Sequence, residues 1–430
     1  MRNLKPILAV ILGAAILLTF CACGPKDPVA TEAAETTVAT EGAKRELTAE
    51  EQALLQERRD IAEAHMRESV SILWRPTESL VYGLAARDNG TKLYIIEGRI
   101  YQGLPYAYAV GTQDSFLEYA GEPDEKGVYT ISGLDATALN YESYGARVGN
   151  DCSGALTNAW SQIGTSFSTS MSSTMFEDYG VIPVGDYDFC PEISPETNRI
   201  TDTGVVTVKN GALTMYTAYA QLQKADALFR QHPDGSNHTM MVVSTHLEYA
   251  GNLIDGTKSY VTVLEQTRKN LAQNVTADHP ELGEKVYVIG GVDKVYTFAE
   301  LFSSSYLPVT VKELVDPSPV EETWVKDSVD TPTLDNLFTG SITSNRYIDS
   351  VRITITNEAG EVIQEVTGRA RRRYNKDFQI ERLLTEKPGS VMGSIDLEAL
   401  EPGSYRCKVS AKLTIEDNYE HILRDFDFTK

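Results

Sequence analysis

Apolar and polar positions divide the chain into regimes that alternate in different ways. An unbroken apolar run extends from Ile7 to Phe20, and from Gly24 to Arg45 the chain is rich in Thr, Ala and Glu with no recurring apolar face. Thr48, Ala49, Glu50 and Glu51 form a capping box ahead of Leu54, Leu55, Ile61, Ala62, Met66 and Val70, which predicts a helix stopped by Pro76. Residues 75–150 are rich in Gly and Tyr with short apolar segments such as Leu93–Ile96, a pattern of loops and short strands. A second helix is expected over Ser153–Ile163, closed by Gly164. The runs Val205–Val208, Ala227–Phe229, Met240–Val243 and Tyr260–Leu264 read as strands, so the region is expected to be α+β. Asp316, Pro317, Ser318 and Pro319 then signal a linker. Beyond them strict alternation takes over: Val351, Ile353 and Ile355, a turn over Asn357–Gly360, Val362, then Cys407, Val409 and Ala411, and finally Phe426 and Phe428. An all-β tail is expected, and no internal repeat is present at solenoid periods.

Arg2 and Lys5, the short apolar run and a small residue before Cys23 make an export signal. Its end resembles a bacterial lipoprotein signal, cleaved before a lipid-modified cysteine. Cys23 fits that cysteine better than Cys21, since Ala22 precedes it where Phe20 precedes Cys21. The resemblance implies a signal over 1–22, lipid attachment at Cys23 and a disordered stalk over 23–47. The protein would then be extracytoplasmic, tethered to the bacterial cell membrane by acyl chains.

Composition narrows the function classes. Charged residues number 39 Lys+Arg against 61 Asp+Glu, net −22, with a sequence pI near 4.7, which argues against a nucleic-acid partner. Five cysteines in 430 residues are too few for a disulfide scaffold. Residues 324–430 hold 15 Lys+Arg and 18 Asp+Glu, so most of the acidity lies nearer the anchor. Recognition of an anionic wall polymer there would be short-range rather than electrostatically steered.

The sharpest chemical feature is Gly149, Asn150, Asp151, Cys152, Ser153 and Gly154 at a helix start. Unpaired N–H groups and the positive helix end favour a thiolate there. A nucleophile needs a base, and His238 is the best placed of six histidines, leading from the Gly235–Asn237 turn into a strand; His232 is the fallback. The strand Tyr260–Leu264 runs into Glu265 and Gln266, of which Glu265 is expected to hold the imidazole and Gln266 is the alternative. No zinc or EF-hand spacing is present, and neither metal nor cofactor is expected.

Asp151–Gly154, then Leu222–Phe229, then His238 opening a strand, resemble the NlpC-type cell-wall cysteine peptidases, part of a wider group with the cysteine–histidine-dependent amidohydrolases. Gly103, Leu104, Pro105 and Tyr106 resemble the Gly-x-Pro-Tyr segment upstream of that family's cysteine. The likeness spans roughly residues 95–270 and implies a papain-like α+β peptidase domain over 48–315. It also implies catalytic Cys152 and His238, Tyr106 as a substrate or oxyanion contact, and action on peptidoglycan peptides; the residues themselves add Glu265 as the third catalytic member and Ser153 and Asp151 as further substrate or oxyanion candidates. Three departures stand out: about 45 residues separate Tyr106 from Cys152, Ala225 replaces the family's Gly, and Glu265 is closer to the amidohydrolase branch.

After a linker over 316–323, residues 324–430 resemble the immunoglobulin-like β-sandwich modules of secreted bacterial proteins. That likeness is architectural and carries no chemistry, and a protein or wall ligand is a candidate partner of the module. Arg369, Arg371, Arg372 and Arg373 form the one basic cluster there, read as a solvated face. Cys190 and Cys407 are a pair available for a disulfide in an exported chain, and Tyr101, Tyr106, Tyr108 and Tyr144 are candidates for a groove. The alternative to an enzyme is a surface lipoprotein of the same fold that binds without turnover.

Overall fold

A computed structural model describes residues 46–83, 92–107, 111–139, 148–164, 181–189, 202–370, 376–385, 391–416 and 418–430. The expected signal, Cys21, Cys23, nearly all of the stalk, Tyr108, Tyr144, Cys190 and Arg371–Arg373 lie outside them. The described chain is mixed α/β, with strand outweighing helix. None of its described helices is long and apolar enough to cross a membrane.

The first helix runs Ala49–Ser71, and Thr48 and Glu51 close the capping box reciprocally. It ends earlier than Pro76 suggested, because Leu73–Pro76 is extended and pairs with Tyr101–Gln102 and Val128–Ile131. Ala62, Met66 and Val70 are fully buried, whereas Ile61 is 43% exposed. Two arginines on the buried side are matched by acceptors. Arg59 reaches Asp226 at 2.9 Å and the Leu314 carbonyl at 3.0 Å. Arg58 donates to the carbonyls of Glu313, Asp316 and Ser318, each at 2.9 Å, so the Pro-rich segment is clamped by the helix.

That helix, the Cys152–Ser161 helix and a six-stranded sheet share one core. Neighbouring strands run 290–297, 260–266, 238–246, 227–230, 307–311 and 181–183, every pair antiparallel. Thr239–Val242 are all buried, which is why this strand reads as a continuous apolar run rather than an alternation. Trp160 Nε1 donates to the Ala225 carbonyl at 2.9 Å, pinning the cysteine helix to the chain before Asp226. Ala225 takes φ +67°, a left-handed conformation that glycine adopts more easily.

One expected strand is a helix. Val205–Val208 lies inside Thr203–Tyr219, capped by Asp202, whose side chain accepts the Gly204 N–H at 2.8 Å. Val206 is buried but Val208 is 77% exposed, so the two do not share a strand face; packing and the cap override β-branched propensity. A second core lies under a five-stranded sheet of mixed direction, where Trp74 stacks on Tyr101 at 4.8 Å. Tyr101 is 1% exposed, so it is a packing residue and lines no groove.

In the tail, a three-stranded and a five-stranded antiparallel sheet surround a third core. Val351, Ile353, Ile355, Cys407, Val409 and Ala411 are all fully buried, in keeping with their alternation. The turn after Asn357 closes with Gly360 at φ +81°. Arg369 ends the Val362–Arg369 strand and meets Glu118 at 3.1 Å, an exposed pair. Cys407 is a free, buried thiol.

Candidate active site

Backbone contacts fix the cysteine loop before the helix begins. Asn150 N–H donates to the Pro105 carbonyl at 3.1 Å and Ala107 N–H to the Asn150 carbonyl at 3.2 Å, making a parallel bridge between Tyr106 and Asn150. Tyr106 is thus brought beside the cysteine loop despite the sequence between them. Gly149, at φ +82°, allows this approach: a Cβ there would lie 2.2 Å from the Pro105 oxygen. Asn150 and Asn158 both donate to the Gly111 carbonyl, at 3.3 and 3.1 Å.

Asp151 is the N-cap. Its carboxylate accepts the Gly154 N–H at 2.7 Å and the Ser153 hydroxyl at 2.9 Å. These contacts make Asp151 the cap and turn the Ser153 hydroxyl onto it. The first intrahelical bond joins Ala155 N–H to the Asp151 carbonyl at 2.9 Å, so the N–H groups of Cys152 and Ser153 precede the helical ladder. Cys152 itself is partly exposed.

His238 opens its strand after a turn whose Gly235 has φ +80°. Its Nε2 lies 2.7 Å from Glu265 Oε2, and its ring also interacts with the Cys152 side chain. Burial disfavours the charged imidazole, but hydrogen bonding to Cys152 and Glu265 and the carboxylate charge outweigh it, raising its pKa to about 9. Glu265 is 2% exposed. Burial pushes its carboxyl up, while His238 and Lys294 more than reverse this and bring it to about 2.

Three of the expected residues therefore meet: Cys152, His238 and Glu265. Gln266 is turned elsewhere, its Nε2 donating to the Leu104 carbonyl at 2.6 Å, which ties this strand to the segment leading into Tyr106. His232 pairs with Asp202 at 3.1 Å, the cap of another helix. Among the described residues no group of His, Cys, Asp and Glu is arranged to hold a metal ion.

Several residues around the site were not anticipated from the sequence. Lys294 Nζ reaches Glu265 Oε1 at 2.5 Å, and the Tyr296 hydroxyl lies 3.4 Å from both carboxylate oxygens. Arg230 is the cross-strand neighbour of His238, and its guanidinium lies 5.0 Å from the centre of the Tyr306 ring, which meets the His238 ring edge-on at 6.5 Å. The legible signal was the alternation of Lys294 and Tyr296 after Gly290 and Gly291, which puts them on one strand face. Only the pairing of that strand with Tyr260–Gln266 directs them at Glu265.

Comparison with family models, with curated proteins and with solved structures gave no match. The reading of the site therefore rests on its residues and geometry.

Proposed function

We propose that the chain is a lipid-anchored extracytoplasmic cysteine peptidase or amidase that cleaves amide bonds, with peptidoglycan peptides as the substrate class. The observation that carries this reading is the convergence of Cys152, at a helix start, with a histidine whose Nε2 is 2.7 Å from a buried carboxylate. A papain-like first domain is supported by the cysteine helix packed on the antiparallel sheet that supplies His238 and Glu265. An immunoglobulin-like tail is supported by its two sheets around one core. The Tyr405 hydroxyl bonded back to the Glu401 carbonyl at 2.7 Å resembles a tyrosine corner. Cys23 as lipid attachment and the membrane location rest on the signal alone.

In this mechanism the Cys152 proton passes to His238 and the sulfur attacks the carbonyl carbon. The N–H groups at the helix start face the oxyanion, worth about 3 kcal/mol per donor. His238 delivers its proton to the leaving nitrogen as the C–N bond breaks, and a water activated by His238 then cleaves the thioester. The test is hydrolysis of purified cell wall by the full chain and by Cys152→Ala. Loss of released peptides in the variant supports the reading, and equal behaviour of the two proteins refutes it in favour of a binding lipoprotein.

A further inference from the structure

Glu265 divides its carboxylate between two opposing partners. Oε2 faces His238 at 2.7 Å and Oε1 faces the Lys294 ammonium at 2.5 Å. Glu265 is buried, while the Lys294 side chain is 35% exposed. From this geometry we infer that Lys294 is a positioning residue that neutralises Glu265, so that His238 is oriented by a nearly neutral ion pair instead of a bare buried carboxylate. The inference rests on the enzymatic reading of the site, because its consequence is the proton affinity of the proposed base.

The backbone around Lys294 is shaped for this contact. Val263 pairs with Lys294 but Glu265 pairs with Gly291, so the Gly290–Thr297 strand carries one extra residue, a β-bulge. Asp293 within the bulge has φ +51° and is gripped by Arg67 of the first helix, at 2.9 and 3.1 Å. Arg67 is itself held by Glu63 at 2.6 Å. Gly291 leaves the room: a Cβ there would lie 2.8 Å from Glu265 Cγ and 2.8 Å from Lys294 Cε. Any side chain at 291 would crowd both members of the pair. Bulges beside sites commonly re-aim a side chain, and here the bulge is pinned from a separate helix.

The charges facing His238 come from every element around it. Cys152 lies on the helix, Glu265 on the adjacent strand, Lys294 on the strand beyond it, and Arg230 directly across on the other side. Tyr296 and Tyr306 complete the surround, with their phenols held neutral by burial. Lys294 is the cation bonded to the carboxylate that holds the imidazole. Removing it leaves an uncompensated negative charge beside the ring, which favours the imidazolium.

The experiment is an NMR titration of the His238 ring in full chains carrying Cys152→Ala, which needs no turnover. With Lys294→Met added, the titration midpoint should rise by about one pH unit. Lys294→Arg should keep the midpoint near that of the parent chain. An unchanged or lowered midpoint with Lys294→Met, in a chain whose melting transition shows it folded, overturns the inference. If wild type and Cys152→Ala handle cell wall alike while the titration shift is present, the enzymatic reading fails and the lysine's effect on the imidazole stands.

Discussion

Cys152 and Cys407 carry the same thiol into opposite surroundings. Cys407 sits mid-strand, fully buried, between Ile355 and Phe426 of the neighbouring strands. Burial pushes its thiol up to about 12, so it behaves as a small apolar side chain. Cys152 sits at a capped helix start, partly exposed, with a histidine that a buried carboxylate orients. Nothing in the side chain distinguishes the two; the helix start and the sheet interior do.

The tail shows the same contrast for buried charge. Arg424 is 1% exposed, with Nε and an Nη on Asp327 at 2.7 and 2.9 Å. It also donates to the carbonyls of Asn336, Leu337 and Thr339 at 2.8, 2.9 and 2.8 Å. That pair is sealed and its donors are occupied. Glu265, by contrast, spends one oxygen on a partly exposed lysine and the other on a histidine that also faces a thiol. Saturated charge pairs hold a fold together, whereas a charge shared with a titrating group can do chemistry.

The strongest way to break this comparison is to label both thiols in the folded chain. Cys152 should react with a thiol probe, and Cys407 should react at least about 1,000-fold more slowly until the chain is unfolded, because its exposure needs opening of the core. Comparable rates, read by mass spectrometry of the labelled peptides, would dissolve the distinction. In the proposed mechanism His238 is both proton acceptor and donor, so His238→Ala should lower the rate of any cell-wall hydrolysis by about 100- to 10,000-fold. His232→Ala should leave the rate within about twofold, and a large loss there would relocate the base.

Arg424→Met should cost about 3–5 kcal/mol of stability in denaturant unfolding, because Asp327 and three carbonyls are left in place without their donor. Labelling of Cys152 in the still-folded fraction should not change. The smallest effect is on stability against pH. His238 is raised above its ordinary 6.5 to about 9, so its contribution is complete below 6.5 and fades as pH rises through about 9. Glu265 is lowered from 4.5 to about 2, so its contribution is complete above 4.5 and fades as pH falls through about 2. The stability difference between wild type and the His238→Gln/Glu265→Gln pair should therefore plateau between pH 4.5 and 6.5 and shrink on both sides. A difference independent of pH would show that the pair does not titrate as a unit.

Much of this was legible from local pattern, because local physics decides it. A capping box at Thr48 satisfies its own N–H groups wherever the helix packs, and the alternation of Val351, Ile353 and Ile355 states which face of a strand is buried. Asp151 before Cys152 announces a helix start with a cysteine on it. Where the sequence misled, tertiary packing outweighed propensity: Val205–Val208 is helical because Asp202 caps it and Val206 faces the core.

The sequence by itself determined the helix-start cysteine, the strand-start histidine, the acid at a strand end and the alternating tail, since these are properties of a few consecutive residues. Tertiary structure alone decided that Cys152, His238 and Glu265 meet, that Gln266 is turned toward Leu104, and that Lys294 shares the carboxylate with the histidine. The physical reason is strand register. A bulge of one residue and a glycine without a side chain place Lys294 on Glu265, and no local rule in either segment specifies that pairing.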